Sequence, residues 1–298
     1  MSTISATRRG FLYQDRFATA TYLEQWQSKN IKQFFIDYPL PNQKSIDVRH
    51  IDVLDQENVY EVKSGEEFKK DKRKKESSGI RDALINLKEY FDSRNSCLLN
   101  LVIRKGFRGN ITTYWDHITQ VQTHSFSLPQ TKTQVTWLFN KLLLPGINSH
   151  KELFDFCKIV KVADFADDEP NNGNDPFPDI DDFVMGKITD ITKEFNAQVS
   201  CVEYPDQILM NDLYHKCRLY AGTGEDVHEI FTSIIIDFIT HRVFLDANYT
   251  PNSNRGKSRD DIKKEIDKKV NQYLNGNLAA NMNSTNADPR LTNEGKTP

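Results

Sequence analysis

Glu61 and Lys63 stand two residues apart in YEVKSG, within a stretch, Ser45 to Gly65, that opens on an acid between apolar residues, Ile46-Asp47-Val48. Residues two apart share one face of a strand. Glu61 and Lys63 therefore point the same way, and Val62 points the other. A carboxylate is a hard oxygen ligand suited to Mg²⁺. An ammonium beside it can hold an attacking water or offset charge building on a phosphate. A second carboxylate from a neighbouring strand completes a two-oxygen site. Mg²⁺ needs no more, because waters and substrate phosphates fill its other positions. The chemistry these residue types imply is metal-assisted hydrolysis of a phosphate ester, with Mg²⁺ (or Mn²⁺) activating the water and stabilising the phosphate under attack.

Asp52 and Asp47 are the two candidates for the second carboxylate. Ile46 to Leu54 is rich in branched residues and reads as a strand. DQEN (Asp55 to Asn58) reads as a turn, and Val59 to Lys63 as the returning strand of a hairpin. That register sets Asp52 directly opposite Glu61. Asp47 has the other parity and needs a bulge or an odd-length loop to join, features common beside active sites. Parity alone favours Asp52.

The surrounding elements suit such a site. Thr7 to Ser28 reads as a helix, with Phe11, Gln14, Ala18, Tyr22 and Trp26 on one stripe. Ile31 to Pro39 is a short extended segment. Ile80 to Phe91 is amphipathic, with Ser78 placed as its N-cap. Cys97 to Gly106 is a nearly continuous apolar run, expected as a central strand buried on both faces. The order helix, strand, hairpin, helix, strand predicts an α/β fold on a mixed sheet flanked by helices.

The pattern SIDV followed by YEVKS resembles the signature of the PD-(D/E)XK nuclease superfamily, an acid early in one strand and Glu-x-Lys on the next. Asp47 lies fourteen residues before Glu61, within that family's spacing. The proline of the name is absent. The resemblance implies a restriction-endonuclease-like fold, with Asp47 and Glu61 as metal ligands and Lys63 positioning the water. It makes Asp47 the first choice and leaves Asp52 open as the alternative. The N-terminal RRGFLYQDRFATATYLEQW is similar to the opening helix of the endonuclease domains of CD-NTase-associated and Lamassu-type anti-phage effectors, through Gly10, Tyr13 and Gln14. This adds Gln14 as a residue that positions the site. The resemblance spans about residues 8 to 105. No cyclic-oligonucleotide sensor domain is recognisable beyond it, which implies control by a separate sensor protein, by homo-oligomerisation, or by both.

KKDKRKKE, Lys69 to Glu76, begins six residues after Lys63 and is basic at six of eight positions. Lys69, Lys70, Lys72, Arg73, Lys74 and Lys75 could grip DNA phosphates beside the scissile bond, contacts that give affinity without sequence readout. Arg104, Lys105 and Arg108 could extend the patch. A solvated loop is the plainer reading of such a charge run.

Composition bounds the rest. The chain has 298 residues, 38% hydrophobic and 27% charged, with a net charge of −3. No apolar run is long enough to span a membrane, and the N-terminus lacks a signal-peptide core, so a cytoplasmic protein is expected. Cys97, Cys157, Cys201 and Cys217 form no CxxC pair, which argues against a disulfide framework or a zinc knuckle. DVHEIF at His228 lacks the zincin spacing, and YAGTGEDV at Tyr220 lacks a phosphate loop and reads as a helix cap and turn. His50 reads as a packed or exposed residue.

The expected organisation is a nuclease-like domain at 1–165, an acidic linker at 166–179 and a helical partner-binding or oligomerisation region at 180–274. A disordered tail is expected at 275–298. The expected function is a Mg²⁺-dependent endonuclease acting on DNA, expected to be double-stranded, as the effector of a bacterial anti-phage system. Two alternatives stay open: a non-catalytic nuclease-fold subunit that binds a partner or nucleic acid, and the same chemistry on RNA or branched DNA.

Overall fold

The computed structural model describes residues 6–41, 44–63, 78–94, 96–105, 112–167, 178–197, 205–249 and 253–285. Helix α1 (Ala6–Gln27) leads into strands β1 (Gln33–Pro39), β2 (Ser45–Ile51) and β3 (Glu57–Lys63). Helix α2 (Ser78–Arg94) crosses to β4 (Leu98–Lys105). Helices α3 (Thr112–Thr123), α4 (Pro129–Leu142) and α5 (His150–Ile159) cross to β5 (Val160–Asp167). Helices α6 (Pro178–Glu194), α7 (Asp206–Tyr220), α8 (His228–Tyr249) and α9 (Arg259–Thr285) complete the chain. The fold is α/β, a five-stranded mixed sheet flanked by helices and followed by a helical C-terminal region.

The strands lie in sequence order, β1 to β5. β1, β2 and β3 are antiparallel neighbours, and β3, β4 and β5 are parallel. Each sheet face carries its own apolar core. On one face Phe34, Ile36, Val48, Val62 and Val102 pack against α1 and α6 to α9. On the other, Val59, Leu99, Leu101, Ile103 and Val160 pack against α2 to α5. β4 contributes to both, Val102 to one side and Leu101 to the other, as its unbroken apolar run predicts.

Helix α1 is buried on more than its expected stripe. Tyr13, Phe17, Ala20 and Leu23 are buried as well as Ala18, Tyr22 and Trp26. The helix lies between the sheet and α6 and α7, so a single apolar face does not describe it. Phe11, placed on the stripe by its spacing, is 60% exposed. The segment YAGTGEDV does more than cap a helix. Gly222 N–H donates to the Ile36 carbonyl at 3.2 Å and Val227 N–H to the Phe34 carbonyl at 2.8 Å. Phe34 N–H donates to Asp226 Oδ1 at 2.9 Å. This loop therefore covers the outer edge of β1, which would otherwise present unpaired backbone groups.

The hairpin departs from its expected register. The pairs are Val48↔Tyr60, Arg49↔Val59, His50↔Asn58 and Ile51↔Glu57. The turn lies at Asp52 to Gln56 instead of DQEN, with Asp52 N–H bonded to the Gln56 carbonyl and Asp55 at φ +61°. Asp52 Oδ1 accepts the N–H groups of Leu54 and Gln56, both at 2.8 Å. A short acidic side chain that bonds the backbone ahead of it makes a turn rather than a strand. The final helix, expected to stop at Leu274, runs to Thr285. Among the described residues no helix is long and apolar enough to cross a membrane.

Candidate active site

Continuing the β2–β3 register one step beyond Val48↔Tyr60 sets Asp47, not Asp52, across from Glu61. Asp52 is occupied in the turn and takes no part in the site. The first choice among the two acids thus meets Glu61 and the alternative does not.

Asp47 reaches the site through a break in two strands. Ile46 belongs to the α2-side core and Val48 to the α1-side core, although residues two apart normally share a face. β1 does the same, with Ile36 on the α1 side and Tyr38 and Leu40 on the other. Ile36 pairs with Val48 and Tyr38 with Ile46, while the intervening Asp37 and Asp47 drop out of the ladder. Asp37 takes φ +49°. The break frees the Asp47 carboxylate from the alternation and turns it toward β3.

The carboxylate is then held from both sides. Asp47 Oδ2 accepts Val62 N–H at 2.6 Å, and Oδ1 accepts Gln14 Nε2 at 2.8 Å. Gln14 Nε2 also lies 3.4 Å from the Val62 carbonyl. Lys63 Nζ stands 3.5 Å from Asp47 Oδ2 and 2.9 Å from Glu61 Oε2. One ammonium therefore bridges two carboxylates. Gln14, Asp47, Glu61 and Lys63 are brought together.

Glu61 is fully buried. Its Oε1 accepts Asn86 Nδ2 from α2 at 3.1 Å, and Asn86 also reaches the Ser45 carbonyl at 3.4 Å. Oε2 makes the ion pair with Lys63. Burial pushes the Glu61 carboxyl up to about 8; Lys63 and Asn86 oppose this and the Asp47 charge adds to it. Burial also raises Asp47, against the pull of Lys63 and the Val62 N–H, and the nearby Asp37 charge raises it further. A solvated hairpin face would show neither the burial nor the shifts.

This donor set fits a hard divalent cation. Two carboxylates converge, one of them fully buried, and burial raises the proton affinity of both, a cost that a bound cation would offset. Among the described residues no group of three or more His, Cys, Asp or Glu side chains is arranged to hold a metal. A metal here would rest on the Asp47–Glu61 pair with waters and substrate oxygens as its other ligands.

Other expected residues lie elsewhere. Lys69, Lys70, Lys72, Arg73, Lys74, Lys75 and Arg108 fall outside the described residues. Arg104 and Lys105 end β4, beside the end of β3 that carries Lys63. His50 is packed between Phe34 and Tyr60, on the α1 side of the sheet, and burial lowers its pKa to about 4. Two participants were not anticipated, Asn86 and Asp37. Asn86 had a signal, since it falls between the buried Ala83 and Tyr90 at helical spacing. No family model matches the chain, and neither a curated protein nor a solved structure matches it.

Proposed function

We propose that the chain is a Mg²⁺-dependent endonuclease built on a restriction-endonuclease-like α/β fold, with Asp47, Glu61 and Lys63 as its centre. The observation that carries this reading is Glu61, fully buried, ion-paired to Lys63 and across from Asp47. A bound Mg²⁺ supplies Lewis-acid polarisation of the phosphate and a lowered pKa for its water.

The chain's own residues do the rest. Asp47 and Glu61 would hold the cation. The Val62 N–H and Gln14 fix the Asp47 rotamer, and Asn86 fixes that of Glu61, so the ligands are oriented before substrate arrives. A bound cation would take over the neutralisation of both acids from the Lys63 ammonium. The ammonium can then donate to the attacking water or to a non-bridging oxygen of the scissile phosphate. The basic run from Lys69 to Lys75 begins six residues after the end of β3 and would grip the flanking phosphates of double-stranded DNA. The sequence resemblance over residues 8 to 105 extends the reading to a cytoplasmic anti-phage effector, controlled by a sensor protein or by oligomerisation.

The test is cleavage of supercoiled plasmid, linear duplex, branched DNA and RNA by wild type and Lys63→Ala, with Mg²⁺ and with EDTA. Metal-dependent cleavage of DNA that Lys63→Ala lacks supports the reading. Equal cleavage by both proteins refutes the site, and cleavage confined to RNA or branched DNA moves the substrate.

A further inference from the structure

The break that delivers Asp47 is gripped from the C-terminal helices. β1 is the sheet's outer strand, and its partner on the open side is the loop between α7 and α8. The two backbone bonds from that loop land on Phe34 and Ile36, immediately before the break. Asp37 follows in the left-handed region, which L-residues other than Asn and Asp occupy at a cost. Gly222 lies beside it, and although a Cβ there would meet Asp37 Oδ2 in ordinary contact at 3.5 Å, its own φ of +74° disfavours any side chain. Gly224, at φ +73°, packs against Pro39, where a Cβ would meet the ring at 3.3 Å. Two left-handed glycines thus let the loop lie against β1 on both sides of the break.

The same arm reaches the other support of Asp47. Arg218, in the last turn of α7, binds Asp15 at 2.7 Å, and Asp181 of α6 binds Arg16 at 2.7 Å. These are the two residues that follow Gln14, whose side chain holds Asp47 Oδ1. The C-terminal end of α7 and its loop therefore touch both the helix that carries Gln14 and the strand whose break turns Asp47.

We propose that Asp37 and the α7–α8 loop form a clasp that positions Asp47: the left-handed Asp37, seated against Gly222, holds β1 and β2 in the broken alternation that presents the Asp47 carboxylate to Val62 N–H and Gln14. Asp37 is a positioning residue that acts through the backbone of β1. The clasp gives the helical half a direct mechanical hold on the candidate site. The part of this inference that concerns metal rests on the nuclease reading; the part that concerns Asp47 does not.

The experiment compares full-length wild type, Asp37→Gly, Asp37→Val and Gly222→Ala, with Asp47→Asn as the blank. Two quantities are read, the exchange rate of the Val62 amide and Mn²⁺ affinity by calorimetry. Glycine tolerates φ +49° and valine does not. Asp37→Val is expected to speed Val62 exchange and weaken Mn²⁺ by roughly tenfold each, the factor equivalent to a left-handed penalty of about 1.4 kcal/mol. Gly222→Ala is expected to move both readings the same way, and Asp37→Gly to leave Val62 exchange near wild type. Unchanged exchange in both Asp37→Val and Gly222→Ala overturns the clasp. So do equal effects of Gly and Val at position 37, because loss of the side chain rather than backbone geometry would then be the cause. Mn²⁺ binding that is absent from wild type, or retained by Asp47→Asn, sinks the nuclease reading, while the amide exchange still decides the clasp.

Discussion

Without metal, Glu61 works against the fold, and replacing it with glutamine measures how strongly. Its carboxyl is fully buried and pushed up to about 8, against an ordinary value of 4.5. A folded pKa above the unfolded one means that the native state keeps a proton the unfolded chain releases. Stability is then complete below about pH 4.5 and is lost as pH rises towards 8. One proton corresponds to about 1.4 kcal/mol per pH unit, so the loss is at most about 5 kcal/mol across that window. Asp47 shares the same environment and the Lys63 ammonium, so the proton belongs to the pair. Glu61→Gln removes the titration and keeps an acceptor for Asn86. The assay is urea unfolding of both proteins at pH 5 and pH 8 in EDTA. The variant should match wild type within about 1 kcal/mol at pH 5 and exceed it by a few kcal/mol at pH 8. Mg²⁺ at about a hundred times its Kd should then stabilise wild type at pH 8 by about 2.7 kcal/mol and leave the variant unmoved. Parallel pH curves for the two proteins would refute the reasoning, since Glu61 would then be an ordinary ionised partner of Lys63.

Further outcomes follow from single contacts. Asn86→Ala removes the donor that orients Glu61 and should weaken Mg²⁺ by roughly ten- to a hundredfold in calorimetry, and the buried Glu61 oxygen it leaves unsatisfied should cost about 1–3 kcal/mol in urea unfolding. Asp52→Ala should cost about 1–2 kcal/mol in urea unfolding, because Leu54 and Gln56 lose their acceptor, and should leave metal binding intact. Asp181→Ala removes the acceptor shared by Arg16 and Tyr214 and should cost roughly 3 kcal/mol in the same assay.

The elements of the N-terminal half were legible because each signal is local. The Glu61–Lys63 pair follows from strand periodicity alone, and β4 from its apolar run. The hairpin register was not legible by parity, because Asp52 binds the backbone of its own turn and Asp55 takes the left-handed region. Those two residues move the turn toward the N-terminus, and that shift exchanges Asp52 for Asp47 opposite Glu61. The spacing in the family resemblance pointed to Asp47 where parity did not. The break at Asp37 and Asp47 left no pattern in either strand, and the loop that packs beside it, at Gly222, lies nearly two hundred residues away in sequence. Nor does periodicity describe a helix such as α1, enclosed by the sheet and by α6 and α7, whose Thr19 is buried and bonded to the Asp15 carbonyl.

The most direct test of the central claim is calorimetric titration of Mg²⁺ and Mn²⁺ into metal-free wild type, Asp47→Asn and Glu61→Gln, because binding needs no activating partner and no chosen substrate. A single divalent site in wild type, lost in both variants while each stays folded, is the result predicted. Wild type that binds no divalent cation, or variants that bind as wild type does, would contradict it and leave Lys63, Asp47 and Glu61 as a buried structural ion triad.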